Sequence, residues 1–178
     1  MIAVFLANGF EEIEALAVVD ILRRADLNVQ MVGVGSNRIT GAHGISVSAD
    51  IMDENLDVSA LRAIVLPGGM PGTLNLEKSA VVQTAIRTAM QNNAIVAAIC
   101  AAPSILDHAG YLKGKKYTCY PGFESDTDGE KADAPVITDG NVTTGCGPGA
   151  AIEFALELVR ILVSKEKSEE IAGGMQCR

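Results

Sequence analysis

Residues 94–106 read AIVAAICAAPSIL. The first six are apolar, small or β-branched, without polar alternation, which is the pattern of a strand covered on both faces. The residues that follow read as a short helix reaching about His108. Cys100 stands at the changeover. It is either a thiol that fills core space, since cysteine is among the most frequently buried residues, or a reactive thiol at a strand-to-helix turn.

Working outward, the same alternation recurs along the chain. Ile2–Ala7 (IAVFLA) reads as a buried strand, followed by a helix from about Glu11 to Ala25. Asn28–Gly35 (NVQMVGVG) is a second strand. Gly44–Asp50 (GISVSAD) alternates with period two, as a strand or hairpin arm with one wet face. Arg62–Gly69 (RAIVLPGG) is another buried strand ending in a glycine turn, and Ser79 is placed to cap a helix over Val81–Asn93. Pro135–Gly145 (PVITDGNVTTG) reads as a hairpin across Asp139-Gly140, a dipeptide favoured in type I′ turns. Gly147–Lys165 is a long amphipathic helix, and a short charged tail follows. Strand and helix alternate throughout, which predicts an α/β fold: a mostly parallel sheet with helices on both faces.

The 178 residues suit one domain spanning residues 1–178, with no repeat or linker. A net charge of −8 with scattered basic residues argues against nucleic acid and anionic membranes as partners. The four cysteines form no CxxC pair and no disulfide-like density, so a reducing compartment is expected. The N-terminal apolar run lacks a basic flank and is too short for a signal peptide or a membrane span, so a cytoplasmic protein is expected.

In such sheets ligands bind where strands end and helices begin. Three turns meet that description: NGFEEIE, PGGMPG and ICAAP. At the third, the N–H groups of the following helix favour a thiolate at Cys100 and predict a pKa in the range of about 3.5–7.5. On a helical wheel Phe10, Ile13, Ala17, Val18, Ile21 and Ala25 form a stripe. Glu14 lies inside it, Glu12 points to the opposite side and Glu11 sits at the margin. A carboxylate on a buried face is costly unless it is paired or protonated. Either the helix turns Glu14 to water, or Glu14 projects into the site of Cys100. In the second case two acids share one site: either Cys100 stays a thiol beside a carboxylate, or Glu14 keeps the proton and hydrogen-bonds a thiolate, the arrangement that the helix end favours. The Gly68-Gly69 turn lines the same pocket, and the amides of Gly69 and Ala101 are candidates for holding an oxyanion.

Together NGFEEIEA, VLPGGMPG, AAICAAP and GPGAAIEFAL resemble the DJ-1/PfpI (formerly ThiJ) family, in order and over nearly the whole chain. The resemblance implies a flavodoxin-like three-layer sandwich, usually a homodimer, with no bound cofactor. It implies Cys100 as the reactive, oxidisable cysteine, Glu14 as its protonated partner, and Gly69 and Ala101 as oxyanion-binding amides. The associated activities are conversion of methylglyoxal to lactate (glyoxalase III type), deglycation, chaperone action and protection against oxidative stress. The implied substrate is a small aldehyde or a glycated molecule. The alternative is a redox sensor or chaperone whose Cys100 becomes a sulfinic acid. Two departures stand out. Tyr120 precedes Pro121 where many relatives carry His-Pro, and Cys146 precedes the GPG turn where relatives often show Arg. GAHGI matches a segment that reaches the other subunit's pocket in dimeric members, so His43 is a candidate contributor in trans.

His108 lies about 12 Å along a helix from Cys100, too far to serve the same turn, and suits a helix C-terminus. Cys119 should face away from its neighbour Tyr120 on a strand. Cys146 stands near the site, and Cys177 is a tail thiol. The cysteine spacing gives no metal-binding pattern. No GxxxxGK[ST] or GxGxxG motif supports a nucleotide site.

Overall fold

The computed structural model describes residues 1–124, 126 and 128–177. Its elements run, in chain order, β1 (Ile2–Leu6), α1 (Glu12–Arg24), β2 (Val29–Gly33), β3 (Arg38–Thr40), β4 (Ser46–Ser48), β5 (Ile51–Met52), β6 (Ala63–Leu66), α2 (Gly72–Lys78), α3 (Ala80–Gln91), β7 (Ile95–Ile99), α4 (Pro103–His108), β8 (Lys116–Tyr117), β9 (Glu130–Lys131), β10 (Val136–Asp139), β11 (Val142–Gly145), α5 (Ala151–Leu162) and α6 (Lys165–Gly174).

The main sheet has seven strands in the order β10-β11-β7-β6-β1-β2-β5. Every pair in it is parallel except β10–β11. The stretch β2-β1-β6-β7-β11 therefore follows the 2-1-3-4-5 order of flavodoxin-like sheets, whose ligands sit where the order reverses, beside the first strand. Uninterrupted apolar runs make the central strands, and β1, β6 and β11 are buried at every residue. Successive side chains enter opposite layers. Ile2, Val4 and Leu6 meet α1 and α5 on one face, whereas Ala3 and Phe5 join residues of α3 and α4 on the other.

Of the two readings of Gly44–Asp50, the hairpin arm holds: Ser46–Ser48 pairs antiparallel with Arg38–Thr40, apart from the main sheet. Other elements depart from the sequence pattern. The glycine turn after β6 leads into an extra helix, α2, before Ser79 caps α3 by accepting from the Val82 amide at 3.3 Å. The long C-terminal helix stops at Leu162, and the charged tail winds into α6, capped by Ser164 and anchored by buried Ile171. Short polar segments take their structure from such tertiary anchors, which no local periodicity displays. The hairpin forms where expected, but Asp139 pairs with Val142, so its two-residue turn is Gly140-Asn141, and with only Gly140 at positive φ (63°) it is not a type I′ turn.

Candidate active site

The ends of β1, β6 and β7 bring their three turns together at the switch point of the sheet. Cys100 follows β7 directly, with φ 65°, a left-handed conformation uncommon for a residue with a side chain. Two main-chain bonds hold it there: its N–H donates to the Gly145 carbonyl at 2.9 Å, and its carbonyl accepts from the Tyr120 N–H at 2.9 Å. The kinked turn directs Cys100 into the layer that holds α1.

Glu14 arrives there from α1. Its side chain is fully buried, so the reading in which it reaches water does not hold. Glu14 Oε2 accepts from the Gly68 N–H at 2.7 Å. The carboxyl and the Cys100 thiol are close enough to shift each other's titration. Oε1, equally buried, nevertheless finds no partner at hydrogen-bonding geometry among the described residues.

Burial pushes Glu14 up to about 7, against the lowering effect of the Cys100 thiol and the Gly68 amide, and the Glu11 charge adds to the rise. Burial likewise pushes the Cys100 thiol up to about 12, helped by the charge and hydrogen bonding of Glu14 and opposed by the amides of Ala101 and Gly69. This direction is opposite to the one expected from a helix end. The physical reason is local: α4 starts three residues further on, is one and a half turns long, and opens with Pro103, which has no N–H to offer. The carboxyl is therefore the first of the two to give up its proton, and the thiol beside it keeps its own near neutrality. The amides of Gly69 and Ala101, expected near an oxyanion, both act on the sulfur itself.

Gly68 is the tightest point of the arrangement. A Cβ there would lie 2.7 Å from the Cys100 Cβ and 2.8 Å from Glu14 Oε2. Gly68→Ala is expected to force the acid and the thiol apart and to cost about 1–3 kcal/mol of stability, the usual range for overpacking a core. Urea midpoints and the alkylation rate of Cys100 check this; wild-type values in both would contradict the geometry.

The remaining residues fall around this centre. Tyr120 is half exposed, and its ring lies against Gly147. With Cys146 and Pro148 it lines a groove of about 760 Å³ that does not include Cys100. Cys119 is buried and Tyr120 half exposed, but both follow β8 in irregular chain rather than lying on a strand, so the expected strand alternation does not apply and both line this groove. Cys177 is exposed. His108 ends α4 and pairs with Glu77.

Two positions on α1 differ from the helical wheel. Ile13, assigned to the buried stripe, is 58% exposed, whereas Glu12, assigned to the wet side, is 4% exposed. The cause is the loop between β3 and β4, which folds over Glu12: the amides of His43 and Ile45 donate to its Oε1 at 2.8 and 3.3 Å. His43 thus turns back onto its own α1. No spacing rule links Glu12 to a segment thirty residues away, and the only hint is the glycine pair flanking Ala42-His43.

The comparisons with known proteins agree with this geometry. The DJ-1/PfpI family model matches residues 1–161. Protein dj-1beta of Drosophila melanogaster is 34% identical over 176 residues, covering 97% of this chain and 94% of that protein. A deglycase of Pyrococcus horikoshii is 34% identical over 160 residues, covering 88% of this chain and 95% of that protein. Among solved structures, oxidized Toxoplasma gondii DJ-1 superposes with a TM-score of 0.92 at 32% identity, covering 98% of this chain and 97% of that one. With the strand order, the turn that carries Cys100 and the match over nine-tenths of its length all in accord, this chain belongs to the DJ-1/PfpI family.

Proposed function

We propose that this chain is a cofactor-independent cysteine enzyme that acts on reactive 2-oxoaldehydes or on the adducts they form with biological nucleophiles. One observation carries the reading: a fully buried carboxyl, held by the Gly68 amide, lies beside a thiol at the sheet's switch point, close enough for each to raise or lower the other's acidity. A carboxyl raised to about 7 is poised to take and return a proton at neutral pH. The deglycase from Pyrococcus horikoshii supports the same class of chemistry.

With methylglyoxal the atoms balance without an external redox agent. The Cys100 sulfur adds to the aldehyde carbon as Glu14 removes the thiol proton, and the carbonyl π pair becomes a hydroxyl in a hemithioacetal. Glu14 then carries the proton of that carbon to the neighbouring ketone carbon, oxidising the first and reducing the second. Water cleaves the resulting thioester, releasing lactate and the thiol. The amides of Gly69 and Ala101 stabilise charge developing at the reacting centre. The working form is a homodimer, for which exposed Ile13 and Ile45, side by side next to His43, supply an apolar face.

Methylglyoxal, without added thiol or metal, is expected to yield lactate, and in D2O its methine carbon keeps the substrate hydrogen except where the buried Glu14 exchanges it with solvent. Lactate production unchanged in Glu14→Gln would remove Glu14 from the proton path, and the absence of both lactate and deglycation would overturn the reading.

The unpartnered Oε1 of Glu14 favours a second reading, because a protonated carboxyl there can donate to an oxygen placed on sulfur. In this case two equivalents of hydrogen peroxide convert the thiol to a sulfinic acid and two waters. Selective double oxygenation of Cys100 by mass spectrometry, with no aldehyde turnover, would favour the sensor over the enzyme.

A further inference from the structure

Beyond the Cys100 site, the structure places a second group of chemically able side chains on one cavity. Donor atoms of Glu11, Glu12 and His43 all lie within 4.8 Å of one another. His43 Nδ1 is 3.0 Å from Glu12 Oε2 and 3.5 Å from Glu11 Oε2. Glu12 is built into the fold: 4% exposed, it is gripped through Oε1 by the His43 and Ile45 amides, so Oε2 is left facing the imidazole. The grip depends on Gly41, where a Cβ would fall 2.3 Å from Glu12 Oε1.

The Glu11 side chain is only 12% exposed, yet among the described residues its carboxylate accepts no hydrogen bond, and its one ion-pair partner is His43. Neither carboxylate pairs with a lysine or arginine among the described residues. Two nearly dehydrated carboxylates thus converge on one imidazole. A protonated imidazole leaves one negative charge uncompensated, whereas a divalent cation bound by a neutral imidazole compensates both.

We propose that Glu11, Glu12 and His43 form a binding site for one divalent transition-metal ion of the zinc class. Zinc binds imidazole nitrogen and carboxylate oxygen at about 2.0–2.2 Å, which in tetrahedral geometry separates neighbouring donors by about 3.3 Å. The separations of 3.0 and 3.5 Å bracket that value. An imidazole with two carboxylates suits zinc or cobalt rather than calcium, which takes six to eight oxygens. The same three residues line an opening of about 430 Å³ with Ile13, Ile45 and Pro148, on the face proposed above to meet a second copy, so the ion would sit at the seam of the homodimer. Such an ion would fasten the hairpin loop to the start of α1.

The test uses the full-length, reduced, metal-stripped protein titrated with cobalt(II) at neutral pH. The expected result is saturation at one ion per chain, with visible d–d bands, no near-ultraviolet thiolate-to-cobalt band, and displacement by zinc. His43→Asn and Glu12→Gln are expected to weaken binding by at least about 100-fold, because each removes a direct ligand whereas second-shell changes alone cost 10–100-fold. Glu11→Gln, whose carboxylate holds nothing else in place, is expected to weaken binding by at least about tenfold and decides the matter if the other variants fail to fold. Absence of saturable uptake below millimolar cobalt, a thiolate charge-transfer band, or wild-type affinity in Glu11→Gln would each overturn the proposal. None of these readouts depends on Cys100 chemistry, so the two functional readings stand or fall separately.

Discussion

Cys100→Ser is expected to lower kcat/KM for methylglyoxal by at least about 10³-fold, the scale on which loss of a covalent nucleophile acts. Serine keeps the Cβ and nearly the volume of cysteine, so the turn held by the Gly145 carbonyl and the Tyr120 amide should survive. A hydroxyl is a far weaker nucleophile, however, and burial beside Glu14 raises the acidity barrier further: it already holds the thiol near 12. An oxygen at this position would form an ordinary hemiacetal and then an ester, neither as readily formed nor as readily cleaved as the sulfur counterparts. Lactate production measures the loss, with circular dichroism as the check on folding. Cys177→Ser, at an exposed tail residue, should match wild type. A Cys100→Ser enzyme within tenfold of wild type would sink the covalent mechanism.

The sequence displays the scaffold of this site better than its electrostatics. Uninterrupted apolar runs such as Ile2–Leu6 and Ala63–Leu66 mark central parallel strands, because burial on both faces excludes polar alternation. Their adjacency follows from the rule that the turns of such a sheet gather at one edge. Glu14 is legible for the same reason: a carboxylate in an apolar stripe demands a partner. What escapes is whatever depends on distant segments. Glu12 reads as a solvent-facing residue until the loop carrying His43 covers it. Ile13 reads as core until the rotation that buries Glu14 turns it outward. The thiol's acidity escapes too, because a helix end raises it only where the helix has some length and free amides. Here α4 spans six residues and begins with proline. The helix is too short, and too far from the sulfur, to outweigh burial and the Glu14 charge.

Glu14→Gln separates reactivity from catalysis, and its effects run in opposite directions. Glutamine still accepts from the Gly68 amide, which Glu14 does at 2.7 Å, so the loop should stay in place. It cannot accept a thiol proton or carry one between carbons, so aldehyde turnover is expected to fall by about 10²–10⁴-fold, the usual weight of a general acid–base. Removing the carboxylate also removes a charge that raises the thiol, so Cys100 should ionise at lower pH and react faster with iodoacetamide. Stability gives a third readout. The folded carboxyl titrates at about 7 against 4.5 in the unfolded chain. Between those values the folded protein keeps a proton that the unfolded chain has lost. Its stabilising contribution is therefore complete below the lower value and gone above the upper one. The wild type should lose up to about 3 kcal/mol of stability across that window, a loss that glutamine does not suffer. Urea midpoints should thus show Glu14→Gln gaining on wild type as pH rises from 5 to 8. A difference that stays flat with pH would mean that Glu14 does not hold the proton on which the mechanism turns. Alkylation and turnover falling together would mean that the substitution had only disordered the turn.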